Sequence, residues 1–499
     1  MPDDQGTILP GIDHIVVLML ENRSFDNILG WLYDPANAPP YDKVPEGQTF
    51  DGVSGKGLTN PGPNGTLVPV GFTSDTTNPF PDPGEEYQKV YGQLYNQDPP
   101  PDGAPPDPPQ PPPMTGFVNN YAAEHPGKDP SHIMNGFRPR SLPSFSLLAH
   151  SFMVCDRWFA PVPSQTLANR SFVHAGTSSG HVNNKDGEFP IFINATDTIY
   201  DLLQANGVDW RIYYGSHWFL CNAFATQKRL EHFMLDSVAF EHGRFQPFRR
   251  LLDAAASGTL PAYSFVEPNF LDSLEYGREN DMHPDAGLVD IDRMPSDARF
   301  GDELVRKLYQ ALKNGPRWNN TLLIITFDEH GGCYDHVPPG PAVPPDDREI
   351  PPGQPGYSGF KFNRYGVRVP ALLISPRLPA GVVDHTIYDH TSIIRTVMGR
   401  FGVPGNLGQR VATANPIDPP MVEPRTDVPD LPDPVVGNTA STRDSPLNGL
   451  RETLAKAAIS RLHGLLPEGL ADLPEVESKL KAEEALLSLA DKWLRSRLG

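Results

Sequence analysis

The chain has 499 residues, a formal net charge of -20 and 57 prolines. This length allows a large buried core, whereas the acidic balance and the lack of a dense Lys/Arg cluster argue against nucleic acid and anionic membrane surfaces as partners. The three cysteines are odd in number and far apart, which favours free thiols in a reducing compartment over a disulfide framework or a zinc knuckle. Because no apolar run approaches the roughly 18 to 20 residues of a membrane span and residues 1–10 do not resemble a signal peptide, we expect a soluble protein. A cytoplasmic location is the default prediction, and secretion by an unrecognised route stays open.

Buried strands that end at oxygen-bearing side chains are the main signal of the sequence. Two apolar runs have this form: residues 15–20 are followed by Glu21-Asn22, and residues 322–327 by Asp328-Glu329. Short runs that are apolar on both faces predict strands inside a sheet covered by helices. Ligands in such folds bind beyond the carboxyl ends of the strands. Buried carboxylates there require neutralisation, which predicts a divalent metal ion.

The remaining elements alternate between strand and helix. We predict strands over 210–214, 263–266 and 369–375, and a helix over 302–312 that ends at Asn314-Gly315-Pro316. The order predicts an α/β fold with a mainly parallel central sheet. The proline-rich segment 98–113 is interpreted as a surface excursion, either a tolerated insertion or a lid.

Composition divides the chain into three parts. We predict a catalytic domain over 1–414, a proline-rich linker over 415–439 and a helical C-terminal region over 440–499. The leucine spacing of the last part suits amphipathic helices that pack on the core or mediate self-association.

The segment from Pro163 to Ala175 is the third chemical feature. A helix that begins just after Thr166 would place its hydroxyl where backbone N–H groups and the positive end of the helix dipole favour an anion or an alkoxide. Arg170 adds a planar cation one turn later. The alternative is that Thr166 only caps the helix.

Four ordered motifs resemble those of the phosphoesterase family, which includes non-specific phospholipases C and acid phosphatases. They are Glu21 to Asp26, Thr166 to Gly180, Glu279 to Pro284 and Asp328 to Val337, and the likeness covers roughly residues 10–405. The resemblance implies an alkaline-phosphatase-like fold, a three-layer α/β/α sandwich in which the large central region is one domain.

The resemblance also implies roles for individual residues. Glu21, Asn22, Asp328 and Glu329 would bind the metal, and Thr166 would be the nucleophile and a further ligand. An all-oxygen set suits Ca²⁺, Mg²⁺ or Mn²⁺, and its geometry leaves iron or zinc open. The implied route passes through a phosphothreonine that water then hydrolyses.

A poor alkoxide leaving group requires a general acid, for which histidine is the best-tuned side chain. His283 and His336 are the leading candidates, since each follows a carboxylate that could orient it. His330 and His390 are secondary candidates. Two further acidic residues have open roles: Asp281 as a ligand of a second metal or an orienting group for His283, and Asp335 beside His336. Asp26 is expected to cap the helix that begins within Ser24 to Leu29.

Three functions remain after this step. The favoured one is phospholipase C activity on a phospholipid, releasing diacylglycerol and a phosphorylated head group. The alternatives are an acid phosphatase for soluble monoesters and a non-catalytic metal-binding protein of the same fold.

Overall fold

The computed structural model describes residues 8–98, 111–184, 192–216, 221–240, 243–270, 277–284, 296–434 and 436. The strands are β1 (His14–Leu20), β2 (Thr59–Pro61), β3 (Leu67–Pro69), β4 (Gly71–Thr73), β5 (Asn135–Phe137), β6 (Met153–Cys155), β7 (Trp210–Tyr214), β8 (Phe245–Pro247), β9 (Tyr263–Glu267), β10 (Thr321–Phe327), β11 (Ala371–Ile374) and β12 (Val382–Asp384). The helices are α1 (Phe25–Ile28), α2 (Tyr87–Tyr95), α3 (Phe117–Glu124), α4 (Pro143–Ser151), α5 (Thr166–Ala175), α6 (Ile199–Ala205), α7 (Asn222–Thr226), α8 (Glu231–Phe240), α9 (Phe248–Ser257), α10 (Ala298–Lys313), α11 (His390–Arg400) and α12 (Gln409–Thr413).

An eight-stranded sheet organises the described residues, in the order β12-β6-β11-β10-β1-β9-β7-β8. Every neighbouring pair is parallel except the two made by β11, which runs antiparallel to both β10 and β6. The predicted mainly parallel α/β architecture is therefore confirmed. The small pairs β2-β3 and β4-β5 lie outside this sheet.

Helices cover the sheet on both faces. All residues of β10 and all but the first of β1 are buried, as expected for strands that present apolar side chains in both directions. One group of helices consists of α4, α9 and α10, and the other contains α5, α6, α7, α11 and α12, with packing contacts inside each group. The sheet is thus the middle layer of three.

The predicted elements are confirmed with adjusted ends. The helix predicted over 302–312 begins earlier, at Ala298, because the Asp297 side chain accepts a hydrogen bond from the Arg299 backbone N–H at 3.0 Å and caps the first turn. The strand predicted over 369–375 is shorter, since Pro370 has no N–H to donate to a ladder and pairing begins at Ala371.

The described residues cover most of the predicted linker and none of the predicted C-terminal helical region. Between 415 and 434 the chain has no regular element and lies against the domain, where Ile417 is fully buried and the Pro429 carbonyl accepts a hydrogen bond from the Tyr309 hydroxyl at 2.8 Å. The domain boundary stays a prediction. The helical region 440–499 and most of the proline-rich excursion, residues 99–110, lie outside the described residues. Across the described part of the chain, every helix is too short or too polar to cross a bilayer.

The strand core sets the stability of the sheet. Leu18 in β1 is fully buried, so Leu18→Ala removes methyl groups from a packed interior and should lower the free energy of unfolding by about 2–5 kcal/mol. The matched control is Leu67→Ala, at a leucine that is 64% exposed. Denaturant titration checks both variants, and equal midpoints would contradict this picture of the core.

Candidate active site

The two predicted ligand pairs emerge side by side from the sheet. Leu20 pairs with Phe327 at the ends of the parallel strands β1 and β10. Glu21 and Asp328 are therefore neighbours at the carboxyl edge, and both are buried, with exposures of 2% and 0%. The ligand pairs predicted from sequence are brought together.

Asn22 turns sharply away from β1. Its φ of 60° is left-handed, and its backbone N–H donates to Asp328 Oδ1 at 3.1 Å. The loop after β10 approaches closely, and a Cβ on Gly331 would lie 2.0 Å from the Asn22 carbonyl oxygen. Gly331 itself has φ 59°, so only glycine fits both the conformation and the space.

Thr166 reaches the same place from α5. The helix begins one residue earlier than predicted, at Thr166, with Gln165 in the N-cap position, so Thr166 is not the cap residue. Its role as nucleophile stays a prediction. Its buried hydroxyl donates to Asn22 Oδ1 at 3.3 Å. The hydroxyl therefore lies beside the predicted ligand Asn22 and at the positive end of a helix.

Arg170 lies one turn further along α5 and is fully buried. Its Nε donates to Asp328 Oδ2 at 2.9 Å, and one terminal nitrogen lies 3.4 Å from Glu21 Oε1. The guanidinium therefore bridges the carboxylates of Glu21 and Asp328 through charge-assisted contacts.

The carboxylates carry more negative charge than Arg170 offsets. Burial raises the pKa of Asp328 and raises that of Glu329 well above its usual range. Among the described residues, Glu329 Oε1 is buried with no hydrogen-bond partner. A buried carboxylate oxygen without a donor is costly unless a cation faces it. Together with the amide oxygen of Asn22 and the hydroxyl of Thr166, this donor set fits a hard divalent cation.

A second group of donors lies next to Asn22. Asp82, Glu85 and His283 each place one donor atom within 4.8 Å of the others. Asn22 Nδ2 donates to Glu85 Oε1 in a short hydrogen bond, so Asn22 joins Thr166 on one side to Glu85 on the other. His283 therefore lies next to Glu85, the hydrogen-bond partner of Asn22, and its role as general acid stays a prediction. The Asp281 carboxylate accepts from the His283 backbone N–H at 2.9 Å, which orients the loop.

His336 belongs to a different cluster. Its Nδ1 lies 2.6 Å from Asp26 Oδ2 and its Nε2 lies 3.1 Å from Asp51 Oδ1. Arg368 binds both Asp26 and Asp335, at 2.8 and 3.2 Å. Asp335 therefore pairs with Arg368, and Asp26 is the carboxylate that orients His336. The expectation that Asp26 caps the first helix is wrong, because the shorter Ser24 side chain accepts the Asn27 backbone N–H at 3.1 Å and serves as the cap.

The two secondary histidines are buried. Burial lowers the pKa of His330 to about 3 and that of His390 to about 4. His330 lies between Glu329 Oε2, at 3.2 Å, and Gln93 Oε1, at 2.9 Å. The ring of His390 accepts from the Trp158 indole N–H at 3.2 Å, so its other nitrogen carries the proton and donates to the Asp328 carbonyl at 2.7 Å. Both rings contact the loop that carries Asp328 and Glu329.

Sequence reasoning missed several residues at this edge. Asp82 and Glu85 lie in coil between β4 and α2, where no strand end or periodic pattern marks them. Glu267 ends β9 and accepts the backbone N–H groups of Asn222 and Ala223 at 2.7 and 2.9 Å. Of these residues, only Glu267 could have been predicted from the sequence, because it ends a predicted strand much as Glu21 follows one.

Comparisons with known proteins identify the family of this chain. The family model described as "Phosphoesterase family" matches residues 12–404. The chain belongs to the phosphoesterase family. Its match agrees with the extent predicted from the four motifs, and membership makes the protein a hydrolase of phosphoric ester bonds.

Named relatives within the family come from plants and bacteria. Non-specific phospholipase C6 of Arabidopsis thaliana is 35% identical over 435 residues, which cover 84% of this chain and 74% of the relative. Phospholipase C A of Mycobacterium tuberculosis strain H37Rv is 27% identical over 430 residues, covering 79% and 74%. A solved protein of the alkaline phosphatase superfamily from Vibrio parahaemolyticus aligns with a TM-score of 0.31 and 15% identity over 55% of this chain and 64% of the other.

The ion pairs of His336 predict a pH dependence of stability. Burial alone would lower the pKa of His336, but the Asp26 and Asp51 carboxylates outweigh it and raise the pKa to about 9. A raised pKa in the folded protein gives stability that is complete below the unfolded pKa of about 6.5 and is lost as pH rises through about 9. Wild type should therefore lose on the order of 3 kcal/mol of unfolding free energy between these values, and His336→Gln should lose much less. Denaturant titrations across this pH range test the prediction, with a substitution at an exposed histidine, His232→Gln, as control. Parallel pH profiles for wild type and His336→Gln would show that the ion pairs of His336 do not cause the pH dependence.

Proposed function

We propose that this phosphoesterase is a metal-dependent phospholipase C. It would cleave the glycerol-side P–O bond of a phospholipid and release diacylglycerol and a phosphorylated head group. Support comes from the relatives named non-specific phospholipase C at 35% identity over most of both chains. The observation that carries the chemistry is the Thr166 hydroxyl at 3.3 Å from Asn22 Oδ1, beside two buried ligand pairs.

The proposed metal ligands are Glu21, Asn22, Thr166, Asp328 and Glu329. Their donor atoms are all oxygens, and three of the five are carboxylates in surroundings that penalise an uncompensated charge. A divalent cation bound there would lower the pKa of the threonine hydroxyl and align a phosphoryl oxygen. Ca²⁺, Mg²⁺ and Mn²⁺ suit the donors best.

Thr166 is the proposed nucleophile. Its hydroxyl gives up a proton to solvent as Oγ attacks phosphorus, and the bond from phosphorus to the glycerol oxygen breaks. That oxygen takes up one proton from a general acid, for which His283 is the candidate, and leaves as the alcohol diacylglycerol. The threonine then carries the phosphorylated head group until water attacks phosphorus and restores the hydroxyl. The helix N-terminus at Thr166 places backbone N–H groups and positive dipole next to the developing charge.

The histidines take different roles in this proposal. His283 is the proposed general acid for the leaving oxygen. Its side chain is 20% exposed, and it lies 3.5 Å from Glu85, which is hydrogen-bonded to Asn22. His336 is a positioning residue, since both of its ring nitrogens are engaged by Asp26 and Asp51. Arg170 is likewise a positioning residue, because its contacts are with the ligand carboxylates and with strand-end carbonyls.

Substrate choice separates the phospholipase from the acid phosphatase. We expect the purified chain to release diacylglycerol from phosphatidylcholine, and to lose this activity on chelation with EDTA and regain it with a single added divalent metal. p-Nitrophenyl phosphate, assayed on the same sample, is the monoester control. Turnover of the monoester alone would assign the chain to the acid phosphatases, and full activity in EDTA would contradict the metal site.

The role of Thr166 is tested by a matched pair of variants. Thr166→Ala removes the nucleophilic oxygen and should lower kcat by at least about 10³-fold. Thr166→Ser keeps the oxygen and should retain most of the activity. Quenched reactions with a head-group-labelled lipid should label wild type covalently and leave Thr166→Ala unlabelled. Equal rates for wild type and Thr166→Ala would exclude this threonine as nucleophile.

A further inference from the structure

Arg364 is a buried cation whose charge is not balanced by a carboxylate. It lies in the coil before β11 and is 1% exposed. Arg170, Arg368 and Arg410 are also fully buried, and each binds a carboxylate, at 2.9, 2.8 and 3.1 Å. Arg364 has no such partner among the residues that the structure describes. Burial of a charge without a counter-charge is costly, so this position favours an anion.

The contacts of Arg364 leave two of its nitrogens without an acceptor. Nη1 donates to the Tyr95 hydroxyl in a short hydrogen bond. The rings of Tyr95 and Phe360 lie 5.2 and 5.8 Å from the guanidinium carbon and attract the cation. Neither ring supplies an oxygen to Nε or Nη2, which are buried and have no hydrogen-bond partner within the described part of the chain.

The two unpartnered nitrogens form one edge of the guanidinium. Their N–H groups point in the same direction, and this edge matches two oxygens of a carboxylate or a phosphate. Arg299 uses the same edge to bind Asp297, with Nε and Nη2 at 3.0 and 2.5 Å from the two carboxylate oxygens. Arg306 binds Glu303 through the same two atoms. The edge of Arg364 is therefore complementary to an oxyanion.

Tyr95 brings a third donor to the same guanidinium. Its hydroxyl oxygen accepts from Arg364 Nη1, so the hydroxyl proton is not used in that bond. A carboxylate offers two oxygens, whereas a phosphate monoester offers three. The three donors of Arg364 and Tyr95 therefore match a phosphate group better than a carboxylate.

The end of α2 forms the open side of this place. Tyr95 is only partly buried, and residues 96–98 after it are exposed. The inner side is apolar, since the ring of Phe362 is buried and lies 6.2 Å from the ring of Phe172 on α5. An ion that reaches Arg364 thus passes Tyr95 and enters surroundings of low polarity, which strengthen its attraction to the guanidinium.

This place is separate from the proposed catalytic residues. Helix α2 has nine residues, so Tyr95 at its end lies about 12 Å from Tyr87 at its start. Only the start of the helix follows Glu85, the partner of Asn22. Within the described residues, Arg364 makes no hydrogen bond to a proposed metal ligand.

We propose that Arg364 and Tyr95 bind the phosphate group of a small ligand at a second site, apart from the catalytic residues. Nε and Nη2 of Arg364 hold two of its oxygens, and the Tyr95 hydroxyl donates to a third. Inorganic phosphate and a phosphorylated head group such as phosphocholine share this chemistry, and the head group as a source rests on the proposed function. The binding itself does not depend on turnover, so it can be tested whatever the enzyme's substrate is.

Phosphate binding to the purified full chain tests the proposal. The chain is treated with EDTA and dialysed free of the chelator, so that a metal ion at the catalytic site does not bind phosphate as well. Calorimetric titration should then find one phosphate per wild-type chain. Arg364→Gln removes the charge and the donor edge and should weaken binding at least about tenfold, as expected for hydrogen bonds to a charged group. Arg364→Lys keeps the charge without the edge and should bind with intermediate affinity, and Tyr95→Phe should weaken binding less than Arg364→Gln does.

Arg348→Gln is the matched control. Its arginine side chain is 55% exposed and binds Asp346, so this variant should bind phosphate as wild type does. Phosphate should also raise the thermal unfolding midpoint of wild type and of Arg348→Gln, but not that of Arg364→Gln, because only a ligand that binds the folded chain stabilises it. Sodium chloride at the same ionic strength is the blank. Far-UV circular dichroism checks that every variant is folded.

The outcomes separate the two sources and the failure of the proposal. Phosphocholine binding with the same dependence on Arg364 would identify the head group as a ligand, and binding of inorganic phosphate alone would identify the free ion. Equal phosphate affinity in wild type and Arg364→Gln would overturn the proposal, as would the absence of phosphate binding to wild type. Acetate binding as tight as that of phosphate would also overturn it, because the edge would then recognise a carboxylate. None of these results depends on hydrolysis of phosphatidylcholine, so they are distinct from a failure of the proposed function.

Discussion

The parallel pairing of β1 with β10 is the constraint on which the site depends. Because the two strands are in register up to Leu20 and Phe327, the residues that follow must leave the sheet together. Buried carboxylates at that point repel one another, and the repulsion is offset only by groups that approach from other elements. Arg170 supplies one such group from α5, and the Asn22 turn supplies backbone and amide donors. The strand pair thus brings buried negative charges together, the helix and the loop supply the groups that offset them, and the same helix brings Thr166 beside the proposed ligands.

Local sequence determined this part of the structure, which is why it could be predicted. The runs before Glu21 and Asp328 are apolar on both faces, and only a covered parallel sheet hides both faces. The helix ending at Asn314 and the strand leading to Phe327 were also visible as periodicity followed by a stop signal. The proximity of the two predicted ligand pairs could then be predicted without knowledge of the loops, because strand ends converge in any such sheet.

The parts that could not be predicted depend on contacts between residues far apart in the chain. Asp335 was expected to orient the histidine next to it, yet Asp26 does so across 310 positions, because Arg368 occupies Asp335. The coil carrying Glu85 gave no signal, since its position is set by α2 and by Gln93, which contacts His330 on a distant loop. Side-chain pairing of this kind is decided by packing, and a single sequence does not encode it in any periodic form.

The reversed strand β11 has a consequence for how the edge of the sheet is divided. A strand that runs opposite to its neighbours brings its amino-terminal end to the edge where theirs finish, so Arg368, just before β11, arrives among residues that follow strands. From there its guanidinium reaches the Asp26 carboxylate and the Asp156 carbonyl, at 2.8 and 2.9 Å. One cation therefore spans the gap between the β1-β10 half of the edge and the β6-β12 half. The polarity of a single strand therefore lets one buried guanidinium bond to residues that follow β6 and to residues that follow β1.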